Sequence, residues 1–363
     1  MSLSLSHVSR GLRNISISIL PIRRAFSPMT GISLCSAMST MSAKSHFNEV
    51  EPFTPGTLLK GDSGRVYEIE EVLSDRRNPL LCVYRARSEM TKYIVKNSLE
   101  GDFDYQLGIQ ALVSSSPNVR TVVDTHRESE TFIYPFLAGD LLRFSQRKLS
   151  AETRKDVLRS ALRGLADLHE QNILHNDIKP NNILVDYEEG SGDDVVVKSV
   201  RISDLDDAVI VPPGKYLRGP LCGNQMWRSP ESWARSRQNQ ASDMFSFGVV
   251  MIYVMLNYMI FFVGNDQLKA EDSWRYILRR HLSYFAEEEG LVGLLRHLGE
   301  ENPFHERIST LADDFSPERA PQPFVFWADV DLAFKDLVIK MTRLDPALRI
   351  TAKDALNHQW FSE

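Results

Sequence analysis

Polar and charged side chains crowd the eight residues His175-Asn176-Asp177-Ile178-Lys179-Pro180-Asn181-Asn182, and this run restricts the fold more than any other stretch. Before it, residues 151–169 carry Leu158, Ala161, Leu162, Leu165 and Leu168 at the spacing of one helix face, with Ser150 placed as the N-cap. After it, residues 183–187 and 195–202 read as two strands of a hairpin around the polar loop 188–194. Asp204 lies just beyond the second strand. A polar loop between a helix and a hairpin therefore carries two carboxylates, an amide and a lysine in close succession. Each piece alone is an ordinary solvated loop, and a lone His-x-Asp is a weak signal.

The flanking pattern divides the chain in two. Residues 66–72, 80–87 and 93–96 are rich in β-branched or aromatic residues and read as strands. A short helix is expected over 105–112, and a strand over 131–137 that leads through Ala138-Gly139 into helical patterns at 141–147 and 151–169. From Ser242 onward the pattern is mainly helical. The longest apolar run, 247–263, is interrupted only by Gly248 and Asn257 and approaches the roughly 18–20 residues of a membrane span. Its upstream context, Ser242-Asp243-Met244-Phe245-Ser246, predicts instead a buried central helix capped by Ser or Asp, with no transmembrane segment. The expected class is α+β, with a small β-rich lobe before a larger helical one.

Composition narrows the chemistry. The chain has 363 residues, 43% of them hydrophobic and 25% charged, enough to bury a substantial core. Cys35, Cys82 and Cys222 are too widely spaced for a disulfide framework or a Cys-x-x-Cys metal pair, which fits a reducing compartment. Five of the 42 Lys and Arg residues (Arg10, Arg13, Arg23, Arg24 and Lys44) fall in residues 1–48, which contain no acid; 37 remain against all 48 acids. That excess of acid argues against nucleic acid as a partner. The first 48 residues are also rich in Ser and place Leu12, Ile15, Ile19 and Ile22 on one helical face, the composition of a mitochondrial transit peptide. Arg24-Ala25-Phe26-Ser27 resembles a matrix-processing site. The plain alternative is a disordered tail, or a true start at Met38 or Met41. Localisation is expected to be intracellular: mitochondrial if the segment targets, otherwise cytoplasmic or nuclear.

With Asp204, the run His175 to Asn182 resembles the protein-kinase superfamily: the pattern His-Arg-Asp-x-Lys-x-x-Asn is met everywhere except at the Arg. The resemblance implies a bilobal protein-kinase fold, with a disordered segment at 1–48, a linker at 49–64, an N-lobe at 65–137 and a C-lobe at 138–363. It also implies that Asp177 accepts the substrate hydroxyl proton, Lys179 neutralises the transferring phosphate, and Asn182 and Asp204 hold magnesium, or manganese in its place. Tyr93-Ile94-Val95-Lys96 is similar to the Val-Ala-Ile-Lys strand, so Lys96 would meet the ATP phosphates. Val83 joins the nucleotide site by the same resemblance. Tyr134 would be the gatekeeper, and the Pro135 carbonyl and Leu137 backbone would meet adenine.

Gly223 to Glu231, with Ser229-Pro230-Glu231, resembles the end of an activation segment; Asp243 and Gly248 match the motif opening the central helix; Arg349 should pair with Glu231. The resemblance covers about residues 65–361, and the whole pattern looks like a divergent kinase-like family found in filamentous fungi. It implies ATP-dependent transfer to Ser or Thr of a protein substrate, with Lys179 pointing to Ser/Thr rather than Tyr, and no oligomeric state is read from it.

The departures cluster on the nucleotide side. No glycine lies between Gly64 and Gly101, so the phosphate-covering glycine loop is absent, and its loss is expected to weaken ATP binding or to make Arg76 or Arg77 contribute charge. The helix glutamate expected beside Lys96 is Gln106, with Asp102 or Asp104 as substitutes; Asp-Phe-Gly reads Asp204-Leu205-Asp206; and the activation-linked Arg is Asn176. Asp206 and Asp207 are expected to pair with basic residues of the activation segment, and Asn224 to bond Asp177 or Lys179. The rival readings are a pseudokinase scaffold and a small-molecule phosphotransferase, the latter opposed by Ser229-Pro230-Glu231, Asp243 and Arg349.

Overall fold

The computed structural model describes residues 51–77, 79–190 and 195–362; the expected targeting segment lies outside them. Strands β1 (Leu58–Lys60), β2 (Val66–Arg77), β3 (Leu80–Ser88) and β4 (Thr91–Asn97) are followed by helix α1 (Phe103–Leu112), then β5 (Asp124–His126) and β6 (Thr131–Pro135). They form one sheet in the order β1-β2-β3-β4-β6-β5. Alternation along β2 to β4 sends Tyr67, Ile69, Cys82, Tyr84, Ala86, Tyr93 and Val95 to a shared face, where with Leu59 and Ile133 they make a compact core. Stretch 49–64, expected as a linker, contributes β1 to this sheet. Leu58 pairs with Glu68 and Lys60 with Val66, which buries Leu59, a pattern three residues long and too short for periodicity to reveal.

The missing glycine loop has a structural counterpart. β2 continues as strand to Arg77 and pairs with β3 down to Arg77↔Leu80, with register irregularities at Ile69/Glu71 and Val72/Ser74. Residues 71–77 are all exposed. Arg77 pairs with Asp75 at 2.6 Å and Glu51 at 3.5 Å, so its charge is held on the hairpin itself.

The second lobe opens with β7 (Gly139–Asp140), α2 (Leu141–Phe144) and α3 (Ala151–Glu170), whose N-terminus is capped by Ser150 accepting from Thr153 N at 3.0 Å. Next come β8 (Ile173–Leu174), the hairpin β9 (Ile183–Glu189) and β10 (Val195–Ile202), β11 (Val209–Ile210) and α4 (Pro230–Trp233). Helix α5 (Gln240–Leu256) is buried on every face from Ser242 to Val254, as an apolar central helix must be. Its cap is Asn239, which accepts from Ala241 N at 3.1 Å, rather than the expected Ser242 or Asp243. Asn257, in the left-handed region at φ 52°, ends it within the apolar run. No described helix is long and apolar enough to cross a membrane.

Helices α6 (Asn265–Lys269), α7 (Ser273–Phe285), α8 (Glu288–Leu298), α9 (Pro303–Asp313), α10 (Leu332–Thr342), α11 (Ala352–Leu356) and α12 (Gln359–Ser362) complete the lobe. The core of this lobe is built on α3, α5 and α10 and includes Leu162, Leu165, Phe247, Val250, Leu337 and Met341. Gly248 lets α5 and α10 touch, since a Cβ there would lie 2.8 Å from Thr342 Cγ2.

Candidate active site

The loop between β8 and β9 is fixed from below by α5. The Asp243 carboxylate accepts the backbone N–H groups of His175 at 2.8 Å and Asn176 at 3.0 Å, and also faces His169 Nε2 at 3.1 Å. Asn176 can follow because Asn tolerates its left-handed φ of 72°. His175 Nδ1 accepts from Asp177 N at 3.2 Å, which assigns the ring proton to Nε2, the donor to Ser203 O at 3.0 Å. The loop is thereby tied to the residue before Asp204.

Three donors hold the Asp177 carboxylate. Lys179 Nζ lies 2.5 Å and Asn182 Nδ2 3.0 Å from Oδ2, and the Asn224 backbone N–H reaches Oδ1 at 3.0 Å. The last bond requires Gly223: its φ is 75°, and a Cβ there would lie 2.9 Å from Asn176 O. The expected contact of Asn224 with Asp177 is therefore a backbone bond, while its side chain accepts from Met226 N at 3.0 Å.

Lys96, on β4 opposite Val83, meets two carboxylates, Asp204 Oδ1 and Asp206 Oδ2, each at 2.6 Å. Burial alone would lower the pKa of Lys96, but these two charges outweigh it and raise the value. Burial pushes Asp206 up, and repulsion from Asp204 adds to this against the pull of Lys96, whereas Lys96 overcomes burial to lower Asp204. None of the substitutes expected on or before α1 pairs with Lys96. Gln106 Nε2 faces the Asp206 backbone carbonyl at 3.5 Å, Asp104 pairs with Arg127 at 2.6 Å, and Asp102 is buried with its pKa raised by that burial. The side chain of Asp206 is likewise directed to Lys96 rather than to the activation segment, and Arg76 pulls on it electrostatically.

At the expected hinge, Arg120 Nε and Nη2 donate to the Pro135 carbonyl at 2.9 and 2.6 Å. Both lone pairs of the oxygen expected to meet adenine are thus engaged by Arg120, a residue only 9% exposed that makes no ion pair among the described residues, with Asp204 acting on its charge from beyond ion-pair distance. Burial lowers the pKa of Arg120 to about 10. Its guanidinium carbon sits 5.0 Å from the centroid of Tyr134, whose hydroxyl accepts from Gln110 Nε2 at 2.9 Å; burial raises Tyr134 to about 12. Leu137 follows, buried.

On the far side, Glu231 and Arg349 form a fully buried two-point pair at 2.5 and 2.8 Å. Against the cost of burial, Arg349 holds Glu231 at about 2, helped by Ser242 Oγ donating at 2.7 Å.

A two-lobed arrangement with this loop, this lysine and this buried pair agrees with the family comparison: the model of the protein kinase domain matches residues 60–361. The chain belongs to the protein kinase family. Among curated proteins, ribosomal protein S6 kinase alpha-2 of Homo sapiens is 26% identical over 77% of this chain and 33% of its own length. Protein kinase gsk3 of Schizosaccharomyces pombe is 30% identical over 56% of the chain and 46% of its own length. The phosphorylase b kinase gamma catalytic chain, liver/testis isoform, of Homo sapiens is 26% identical over 69% and 51%. The chain thus spans between a third and about half the length of these relatives.

The kinase domain brings Asp177, Lys179 and Asn182 into mutual contact and places Lys96 on Asp204. With its amide nitrogen turned to Asp177, Asn182 keeps Oδ1 for a cation, and Asp204 adds a second hard oxygen donor; these residues fit magnesium. The base end does not fit adenine as it stands, because Pro135 O is engaged. Sequence reasoning missed Arg120, which sits in the stretch Asn118 to Val123 without a motif around it.

Proposed function

We propose that this kinase domain transfers the terminal phosphoryl group of ATP to a Ser or Thr hydroxyl of a protein substrate. The observation that carries the reading is the Asp177 carboxylate, held by Lys179, Asn182 and the Asn224 N–H at the mouth of the loop. In this role Asp177 takes the hydroxyl proton as the substrate oxygen attacks the γ-phosphorus and the bond to the bridging oxygen of ADP breaks. Lys179 neutralises charge on the transferring group, and Lys96 meets the phosphates. Magnesium, held by Asn182 and Asp204, would supply charge neutralisation on the phosphates. The relatives named above are called kinases, which supports the same class.

Arg120 favours a second reading, a pseudokinase scaffold with weak or no turnover, because adenine must displace a buried guanidinium to reach Pro135 O. An assay of phosphoryl transfer at millimolar Mg-ATP separates the two. Asp177→Asn should lower the rate about 10²–10⁴-fold, the contribution of a positioned base. No transfer above that variant's level would leave the scaffold.

A further inference from the structure

Beside the distal part of the activation segment a cavity of about 290 Å³ is lined by Arg218, Arg235, Arg237, Arg296, His297 and Asn302. Among the described residues none of these four arginines has a carboxylate within ion-pair distance, although the chain beyond residue 48 carries an excess of acid. Several other arginines do find acids: Arg85 and Arg87 pair with Glu71 and Glu68, and Arg319 with Asp314, while single arginines that make no ion pair among the described residues, such as Arg76 and Arg143, are not gathered round one cavity with others. Four like charges around one hollow repel each other; Arg237 also lies 5.6 Å over the Tyr216 ring, but no carboxylate among the described residues neutralises any of the four, and a bound anion would.

The hollow has a fixed floor. Arg237 Nη2 donates to His297 O at 2.5 Å, and His297 Nε2 faces Arg237 O at 2.8 Å. Burial lowers the pKa of His297, so the ring is a neutral donor in this bond and adds no charge. Asn302 Nδ2 ties the far wall to Ala234 O at 3.0 Å. Arg235, an exposed non-glycine residue at φ 49°, sits in the left-handed region, and its carbonyl accepts from Gly219 N at 3.3 Å. Following the C-cap Ala234, this left-handed residue ends α4 and fixes where Arg235 leaves the helix.

The hollow is also tied to Asp177 through the activation segment. A bridge between Leu217 and Gln238 pins the segment next to Arg218, and six residues further on the Asn224 N–H meets Asp177. That length of chain spans at most about 20 Å.

We propose that this pocket takes a phosphorylated serine or threonine side chain of the protein substrate, several residues away from the hydroxyl that faces Asp177. The inference rests on the protein-substrate reading and names the substrate class within it. A phosphate brings nearly two charges and three acceptor oxygens, which several guanidinium forks match better than one carboxylate does. An extended polyanion is disfavoured by the net negative charge of the chain beyond residue 48.

The test is binding, kept separate from catalysis. Fluorescein-labelled Ala/Ser peptides carrying one phosphoserine, one Asp or only Ser are titrated with the full chain and followed by anisotropy. The phosphoserine peptide should bind about tenfold or more tighter than the Ser peptide, with Asp between them. The doubly charge-reversed Arg218→Glu/Arg296→Glu protein should lose that preference. Arg235→Gly should weaken it while leaving the melting temperature equal or higher, because glycine accepts the left-handed backbone. Equal binding of all three peptides, or an undiminished preference in the double variant, would overturn the proposal. So would mass-spectrometric detection of phosphate on Tyr216 together with phosphopeptide binding only after Tyr216→Phe, since the occupant would then be the chain's own segment. Phosphopeptide binding in a protein that transfers no phosphate would uphold the pocket and remove the catalytic reading.

Discussion

The two walls of the cleft are held in different ways. On the large-lobe wall Lys179 and Asn182 both contact Asp177 directly, Asp243 and His175 hold the backbone N–H groups of the loop, and the Asn224 N–H meets the Asp177 carboxylate. On the small-lobe wall the glycine loop is replaced by a long hairpin, the carboxylate beside Lys96 comes from Asp206 instead of a helix, and Arg120 occupies the hinge carbonyl. Phosphoacceptor chemistry needs one geometry, so its parts leave little room for exchange. Nucleotide contacts are more dispersed, and a charge can be supplied from another element so long as it reaches the same atom. The difference also decouples Lys96 from α1, since its second partner lies two residues from Asp204 on the same segment.

The largest effect should come from the brace behind the large-lobe wall. Arg349→Met leaves Glu231 buried and unpaired, and should cost about 3–5 kcal/mol in denaturant unfolding. Glu231 also sets a pH dependence. Its folded value of about 2 lies below its ordinary 4.5, so the pair's stabilisation is complete above pH 4.5 and is lost as the pH falls toward 2. Melting temperatures recorded down that range should drop more steeply for the wild type than for Arg349→Met. Parallel curves would mean that another carboxylate governs acid unfolding.

A smaller effect tests the exchanged carboxylate. Asp206→Gly, which restores the family's residue, should slow phosphoryl transfer about tenfold by leaving Lys96 to Asp204 alone. Adding Gln106→Glu should recover most of the loss, because the charge returns on α1. If Asp206→Gly is neutral, Asp206 is only a neighbour of Lys96 without a part in transfer, and the contrast between the walls shrinks.

Much of the large-lobe wall was legible because its residues are contiguous in the chain and their neighbours carry strong patterns, as with Ser150 capping α3 and Arg349 meeting Glu231. The cap of α5 was misplaced because Asp243 looked suited to that role, yet its carboxylate serves the amides of His175 and Asn176. On the small-lobe wall the signal for Asp206 was present as an acid where the family has glycine. Its partner, however, lies 110 residues earlier, and no local pattern joins the two. Arg120 was invisible for a related reason: a lone arginine among apolar residues reads as a surface position until the fold buries it against Pro135.

The smallest effect concerns the activation segment. Asn176 carries no charge for a phosphate, and its Nδ2 donates to Asp207 O at 3.3 Å, while Gln240 Nε2 holds Val211 O at 3.0 Å. Phosphatase treatment and Tyr216→Phe should each leave the transfer rate within about twofold. A larger fall would mean that the large-lobe wall is switched after all.

The rebuilt nucleotide wall is tested most directly by calorimetric titration of Mg-ATP into the wild type and Arg120→Val. Freeing Pro135 O returns to adenine a hydrogen bond worth about 0.5–1.5 kcal/mol, so the variant should bind up to about tenfold tighter than a weakly binding wild type. Equal affinity in the two proteins, or tighter binding by the wild type, would contradict the account.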